Sequence, residues 1–188
     1  MFEKEIKQLN KRKFSLSQLI FMALCCDLGV FSKRIIGPVA NIITDSLHIP
    51  GGIGTSFSIM FVLVGAESCG IPGCAVLMCC VQSMIALAIG TTGSMGALAP
   101  IGYILPGLAM ELCMLVRKRW MLYSSDAIAI TNALACMAAA LAANFITFGL
   151  KGVVLLLYLS VSGTSGLLFG YLGSKIIKRL KLVIRFND

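Results

Sequence analysis

A serine set between glycines can present a nucleophile, and the run SGTSG places Gly163, Ser165 and Gly166 in the order G-x-S-G. Such a serine needs a general base within hydrogen-bond reach. The sequence holds one histidine, His48, far upstream in TDSLHIPGGIG, between two long apolar runs. A short pattern of this kind arises by chance in Gly/Ser-rich helices, so the residues support no catalytic assignment. Metal chemistry is also unsupported. The eight cysteines (Cys25, Cys26, Cys69, Cys74, Cys79, Cys80, Cys113, Cys136) fall in or at the ends of apolar runs, and the CC pairs put neighbours on different helix faces. They read as small hydrophobes rather than metal ligands or a disulfide framework. A nucleotide-binding loop of the G-x-x-x-x-G-K-[ST] type is absent from the sequence, so the chain is not expected to hydrolyse ATP itself. No cofactor is implied.

The elements that would carry these residues are set by the solvent. Of 188 residues, 58% are hydrophobic and 13% charged, against roughly 45–50% and 25% in ordinary soluble domains. One small core cannot hide that excess, and the chain is expected in a bilayer. A helix needs about 20 apolar residues to cross the hydrocarbon, and such windows fall at about 14–32, 54–70, 73–91, 97–116, 126–147 and 153–174. The expected fold is an all-α, six-helix transmembrane bundle in a single domain, 1–188. A secretory signal peptide at KRKFSLSQLIFMALCC is disfavoured, because the chain runs on through Asp27 and Lys33 into further spans without a mature soluble domain. With the amino end inside, all of the sixteen basic residues except Lys33, Arg34 and Lys151 face the cytoplasm. Both termini are therefore expected inside, in a bacterial plasma membrane. The net charge of +8 then reflects topology and attraction to anionic lipid, with no nucleic-acid partner needed.

Polar residues inside a membrane are costly unless partnered, so their depth is informative. In this topology Asn41, His48, Thr92, Ser94, Tyr103, Asn144 and Tyr158 gather toward the outer side, and with Gln82 they form the expected substrate-binding set. Tyr103 and Asn144 carry most of that expectation; loop solvation and helix-end capping are the competing account. Glu67 and Glu111 fall near the inner face, where pairing with Arg117 or Lys118, or snorkelling, is expected. Asp27 is deeper. Gly163, Gly166, Gly170 and Gly173 recur at steps of three and four, and the run AIAITNALACMAAALAAN is almost all small side chains. Both favour close internal helix packing.

The layout resembles a known family. The stretches IIGPVANIITDSLHIPGGIGTSFSIMFVLVGAESCGIPGCAVL (35–77) and ALAIGTTGSMGALAPIGYILPGLAMELCMLV (86–116) are similar to the substrate-binding S component of an energy-coupling factor (ECF) vitamin transporter, nearest to the hydroxymethylpyrimidine and thiamine permease branch. The shared features are a Gly-Pro after the first span, a Pro-Gly turn into the third, a Gly/Ser turn, and Pro-Gly-Leu with a Glu in the fourth. The resemblance implies capture of a small water-soluble vitamin or precursor at the outer face. It also implies a transmembrane coupling subunit and two ATPase subunits as partners, a first outer loop acting as a lid that carries His48, and hinge freedom at Gly51 and Gly52 beside a stiffening Pro50. Contact with the coupling subunit would fall on Ala23, Cys26 and Asp27. The family pattern Ala-x-x-x-Ala is broken here, because Asp27 stands where the second alanine belongs. The amino-terminal histidine of the cobalt and nickel branch is absent, since the chain begins Met-Phe-Glu. An intramembrane serine hydrolase built on residues 163–166 and a ligand-free membrane scaffold are the alternatives.

Overall fold

The computed structural model describes residues 15–46, 53–90 and 93–183. Among these the chain forms six α-helices and no strand: α1 (Leu16–Ser46), α2 (Ile53–Cys69), α3 (Cys74–Ile89), α4 (Ala99–Arg119), α5 (Ser125–Ala143) and α6 (Val153–Val183). A 3₁₀ segment, Gly93–Leu98, leads into α4, and a π turn, Asn144–Phe148, closes α5. Among the described residues, three stretches are long and apolar enough to cross a membrane: Met95–Arg119, Ser125–Phe148 and Val153–Leu182. α2 and α3 are apolar but shorter, at 17 and 16 residues.

The helix limits have local causes. Left-handed glycines bound α3, Gly73 at φ 89° and Gly90 at φ 71°, a conformation that a Cβ would strain. α5 begins at Ser124, whose hydroxyl accepts from the Ala127 amide at 3.2 Å, and Asp126 lies in its first turn, where the helix dipole favours an anion. α4 carries Pro100 in its first turn, where the amide hydrogen that proline lacks has no use, and ends on Arg117, Lys118 and Arg119 beside its partly negative terminus.

α1 departs from expectation. The first span was expected to end at about 32, with Gly37-Pro38 beyond it in the first outer loop, yet the helix continues to Ser46 with Pro38 inside it. Proline removes one backbone hydrogen bond and kinks a helix. The residues around it here, Ile35, Ile36 and Val39, still sustain helical backbone. α1 passes α2 at two glycines: a Cβ on Gly54 would lie 3.0 Å from the Gly37 Cα.

α2 forms the centre of the bundle, almost wholly buried, in contact with α1, α3, α5 and α6. α4 closes the ring between α3 and α5. Met60, Leu63, Met78, Met110 and Ile177 fill the core, and six of the eight cysteines are buried with them. The outward faces are apolar. On α1, Ile20, Leu24, Phe31, Ile35 and Val39 are all exposed.

The tightest seam joins α5 to α6. A Cβ on Gly170 would fall 2.7 Å from the Ala129 Cα, and one on Gly166 would fall 2.8 Å from the Ala133 Cα. Backbone meets backbone there, so the glycine face is an internal packing surface, and Asn132 adds a hydrogen bond from Nδ2 to the Gly166 carbonyl at 2.8 Å. Dispersion between close backbones is a main attraction available to helices in lipid, where apolar burial gives little.

One end of the bundle is held by charge. Arg117 of α4 pairs with Glu67 of α2, with both side chains buried, and donates to Thr131 of α5 at 3.3 Å. The Thr131 hydroxyl donates onward to the Ala127 carbonyl at 2.9 Å. Glu111 was expected to join these basic residues, but it caps α3 instead. Its carboxylate accepts from the Gly73 amide at 2.7 Å and the Ala75 amide at 3.2 Å. The open amides of a helix start recruit a carboxylate as effectively as a lysine does. The start of α1 lies at this same end, where Gln18 meets Cys69, as does the last part of α6, where Lys178 donates to Ser125 at 2.6 Å.

Candidate functional site

The opposite end contains a recess of about 50 Å³. Its depth along the bundle follows from α2, which contributes Thr55 from its first turn to the recess and Glu67 from its last turn to the ion pair. Five helices converge on it. α5 supplies the floor with Cys136, Ala139, Ala140 and Ala143, which recur at helical steps of three and four along one face. Small side chains there leave the volume open. α6 adds Tyr158 and Ser162, and Met95 lies against Gly102 at the start of α4.

Lys33 and Tyr103 define the polar side. The Lys33 ammonium donates to the Tyr103 hydroxyl at 3.1 Å and stands 4.3 Å from the centre of its ring. The contact combines a hydrogen bond with a cation-π attraction. Among the described residues, Lys33 is the one charged residue that lines the recess. Tyr158 is buried and packs edge-on against Phe148 at 6.0 Å between ring centres, so its ring is fixed. Thr55, Ser162 and the two tyrosines line the recess with hydroxyl-bearing side chains between apolar walls.

Of the expected binding residues, Tyr103 and Tyr158 are brought together here. Gln82 is not. It lies buried between α3 and α1, where Nε2 donates to the Cys26 carbonyl at 3.3 Å, and a Cβ on Gly29 would fall 2.3 Å from that nitrogen. Asn144 also faces elsewhere. Its Oδ1 accepts from the Leu150 amide at 2.7 Å and its Nδ2 donates to the Leu150 carbonyl at 3.2 Å, closing the turn between α5 and α6. Both ends of that amide are thus satisfied by the turn. His48 and Thr92 lie outside the described residues, as do the side chains of Asn41 and Ser94.

The expected coupling residues divide between two faces of α1. Ala23 and Asp27 are exposed, with Asp27 among outward-facing leucines. Cys26 is only 2% exposed, and its thiol donates to the Met78 carbonyl at 3.6 Å, so it belongs to the core. Ser165 of the G-x-S-G pattern is buried; its hydroxyl donates to the Ser162 carbonyl at 3.1 Å and lies 2.8 Å from that of Ser56. Those partners join α6 to α2 and include no imidazole or carboxylate.

Lys33, Thr55, Met95, Gly102, Ser162 and the small-residue row of α5 are the recess residues that the sequence reading missed. The spacing at 136, 139, 140 and 143 was the available signal for a smooth floor, and Lys33 was hidden by its resemblance to an ordinary helix-flanking base. No protein-family model, curated protein or solved structure matches the chain.

Proposed function

We propose that this chain is the solute-capturing component of a membrane import system, crossing the bilayer six times with both ends in the cytoplasm. The recess receives a small water-soluble vitamin or precursor from the outer side. A coupling subunit and two ATPase subunits of the ECF type then drive its passage, as the resemblance to S components implies. The observation that carries the reading is the recess itself, with polar groups from α1, α4 and α6 around Lys33 and Tyr103, at the end away from Arg117 and the basic last part of α6. The positive-inside bias puts that basic end in the cytoplasm and the recess outside. Length and apolarity of three helices support insertion, and a shorter pair is accommodated by local thinning of the bilayer.

Size bears on what is captured. Pockets for drug-sized ligands occupy roughly 300–1,000 Å³, whereas this one measures about 50 Å³. It accepts one end of a solute, with the remainder at the mouth or admitted after widening.

The test is retention and transport. Protein purified in mild detergent and then denatured should release a small organic solute detectable by mass spectrometry, and coexpression with coupling and ATPase subunits should yield a stable complex. Tyr103→Ala should lower uptake with expression unchanged. Thiol labelling of a cysteine placed at Ser94 that reported a cytosolic location would overturn the topology and the capture role with it.

A further inference from the structure

We infer that the solute carries an oxyanion, a carboxylate on a short carbon chain, and that Lys33 holds that charge; the inference rests on the recess being a capture site. Lys33 brings a full positive charge to a recess whose other lining residues, among those described, are hydroxyl, thioether, thiol or apolar. Among the described residues no carboxylate lies within ion-pair distance of it. Lys33 is partly buried, and beyond the bond to Tyr103 its ammonium has donors left over that an anion can take as charge-assisted hydrogen bonds. Its ammonium points at the Tyr103 hydroxyl, away from the stripe of Asp27, Phe31 and Ile35 that faces outward. That direction favours a solute in the recess over a lipid phosphate beside α1.

The same geometry argues against a cation. Lys33 already occupies the face of Tyr103 at 4.3 Å, the position that an aromatic cage would offer a positive ligand. A second cation placed there meets like-charge repulsion. Thiamine, a cation, and hydroxymethylpyrimidine, which has no carboxylate, are therefore both disfavoured within the class implied by the resemblance. The volume of about 50 Å³ suits a carboxylate with one or two carbons behind it, and hydroxyls such as those of Tyr103 and Ser162 can donate to its second oxygen.

The test uses three fluorinated probes of nearly equal size and different charge: fluoroacetate, fluoroacetamide and fluoroethylamine. The full chain is placed in phosphatidylcholine nanodiscs, and binding is followed by fluorine NMR line broadening against empty nanodiscs. Fluoroacetate should bind at least about tenfold more tightly than either other probe, the lower range of one charge-assisted hydrogen bond. Lys33→Met should erase that preference, Lys33→Arg should largely keep it, and Ala140→Trp should abolish binding by filling the floor.

Equal or tighter binding of the amide or the amine, or an unchanged preference in Lys33→Met with its fold verified by circular dichroism, overturns the oxyanion assignment and leaves the recess a capture site. Broadening of fluoroacetate no greater than in empty nanodiscs overturns the assignment as well. If none of the probes binds and the denatured protein releases no solute, the capture reading falls too.

Discussion

Replacing Gly170 with alanine tests the seam on which the bundle depends. The new Cβ would fall 2.7 Å from the Ala129 Cα, 2.8 Å from the Ala129 carbonyl oxygen and 2.8 Å from the Asn132 Cβ. Two of those atoms are backbone and cannot rotate aside, so α5 and α6 must part by more than half an ångström. Gly163, two turns earlier on α6, meets only the flexible Met137 side chain, at 3.4 Å. Alanine is favoured over glycine in a helix interior by about 1 kcal/mol, and overpacking a tight interface costs about 1–3 kcal/mol. Gly170→Ala should therefore destabilise the protein by up to about 2 kcal/mol net. Gly163→Ala should be neutral, or stabilising by up to about 1 kcal/mol. Reversible unfolding in mixed micelles, read by circular dichroism over a denaturing-detergent titration, measures both. Equal shifts, or a larger loss at Gly163, would refute close backbone contact between α5 and α6.

Three further outcomes follow from the polar contacts. Glu67→Gln leaves the buried Arg117 without its counter-charge and should cost about 3–5 kcal/mol, whereas Glu67→Gln with Arg117→Met should recover most of that loss in the same unfolding assay. Glu111→Ala removes the carboxylate that accepts from Gly73 and Ala75; a loss of about 0.5–2 kcal/mol is expected, with faster amide exchange confined to the first turn of α3. Asn144→Leu removes two hydrogen bonds to Leu150 and should destabilise by about 1–3 kcal/mol, while uptake per folded molecule stays unchanged because Asn144 does not line the recess.

Helices were legible where apolar runs end at special backbone. The expected span 54–70 corresponds to α2, Ile53–Cys69, and 73–91 corresponds to α3, Cys74–Ile89, between its two left-handed glycines. The limits of α1 and α6 were misjudged for a shared reason: hydropathy reports thickness of apolar cover, and a helix can continue beyond it. α6 runs on through KIIKRLKLV to Val183, where lysines and arginines sustain helical backbone as well as leucine does. The recess was half legible. Tyr103 and Tyr158 stood out as polar-tipped groups in apolar runs, but Asn144 and Glu111 resembled binding or paired residues when their partners are main-chain groups in neighbouring segments. Sequence gives the polarity of a side chain and not the direction in which it turns, and at a helix end capping and ligand binding use the same residue types.

Asp27 gives the outer surface of α1 an asymmetry. It sits exposed among Leu24, Leu28 and Phe31, well inside the helix that begins at Leu16. If α1 lies in a bilayer, as proposed, a carboxylate there would draw water and headgroups toward itself and dimple the surrounding leaflet. The lipid collar would then be shallower beside α1 than elsewhere around the barrel of helices.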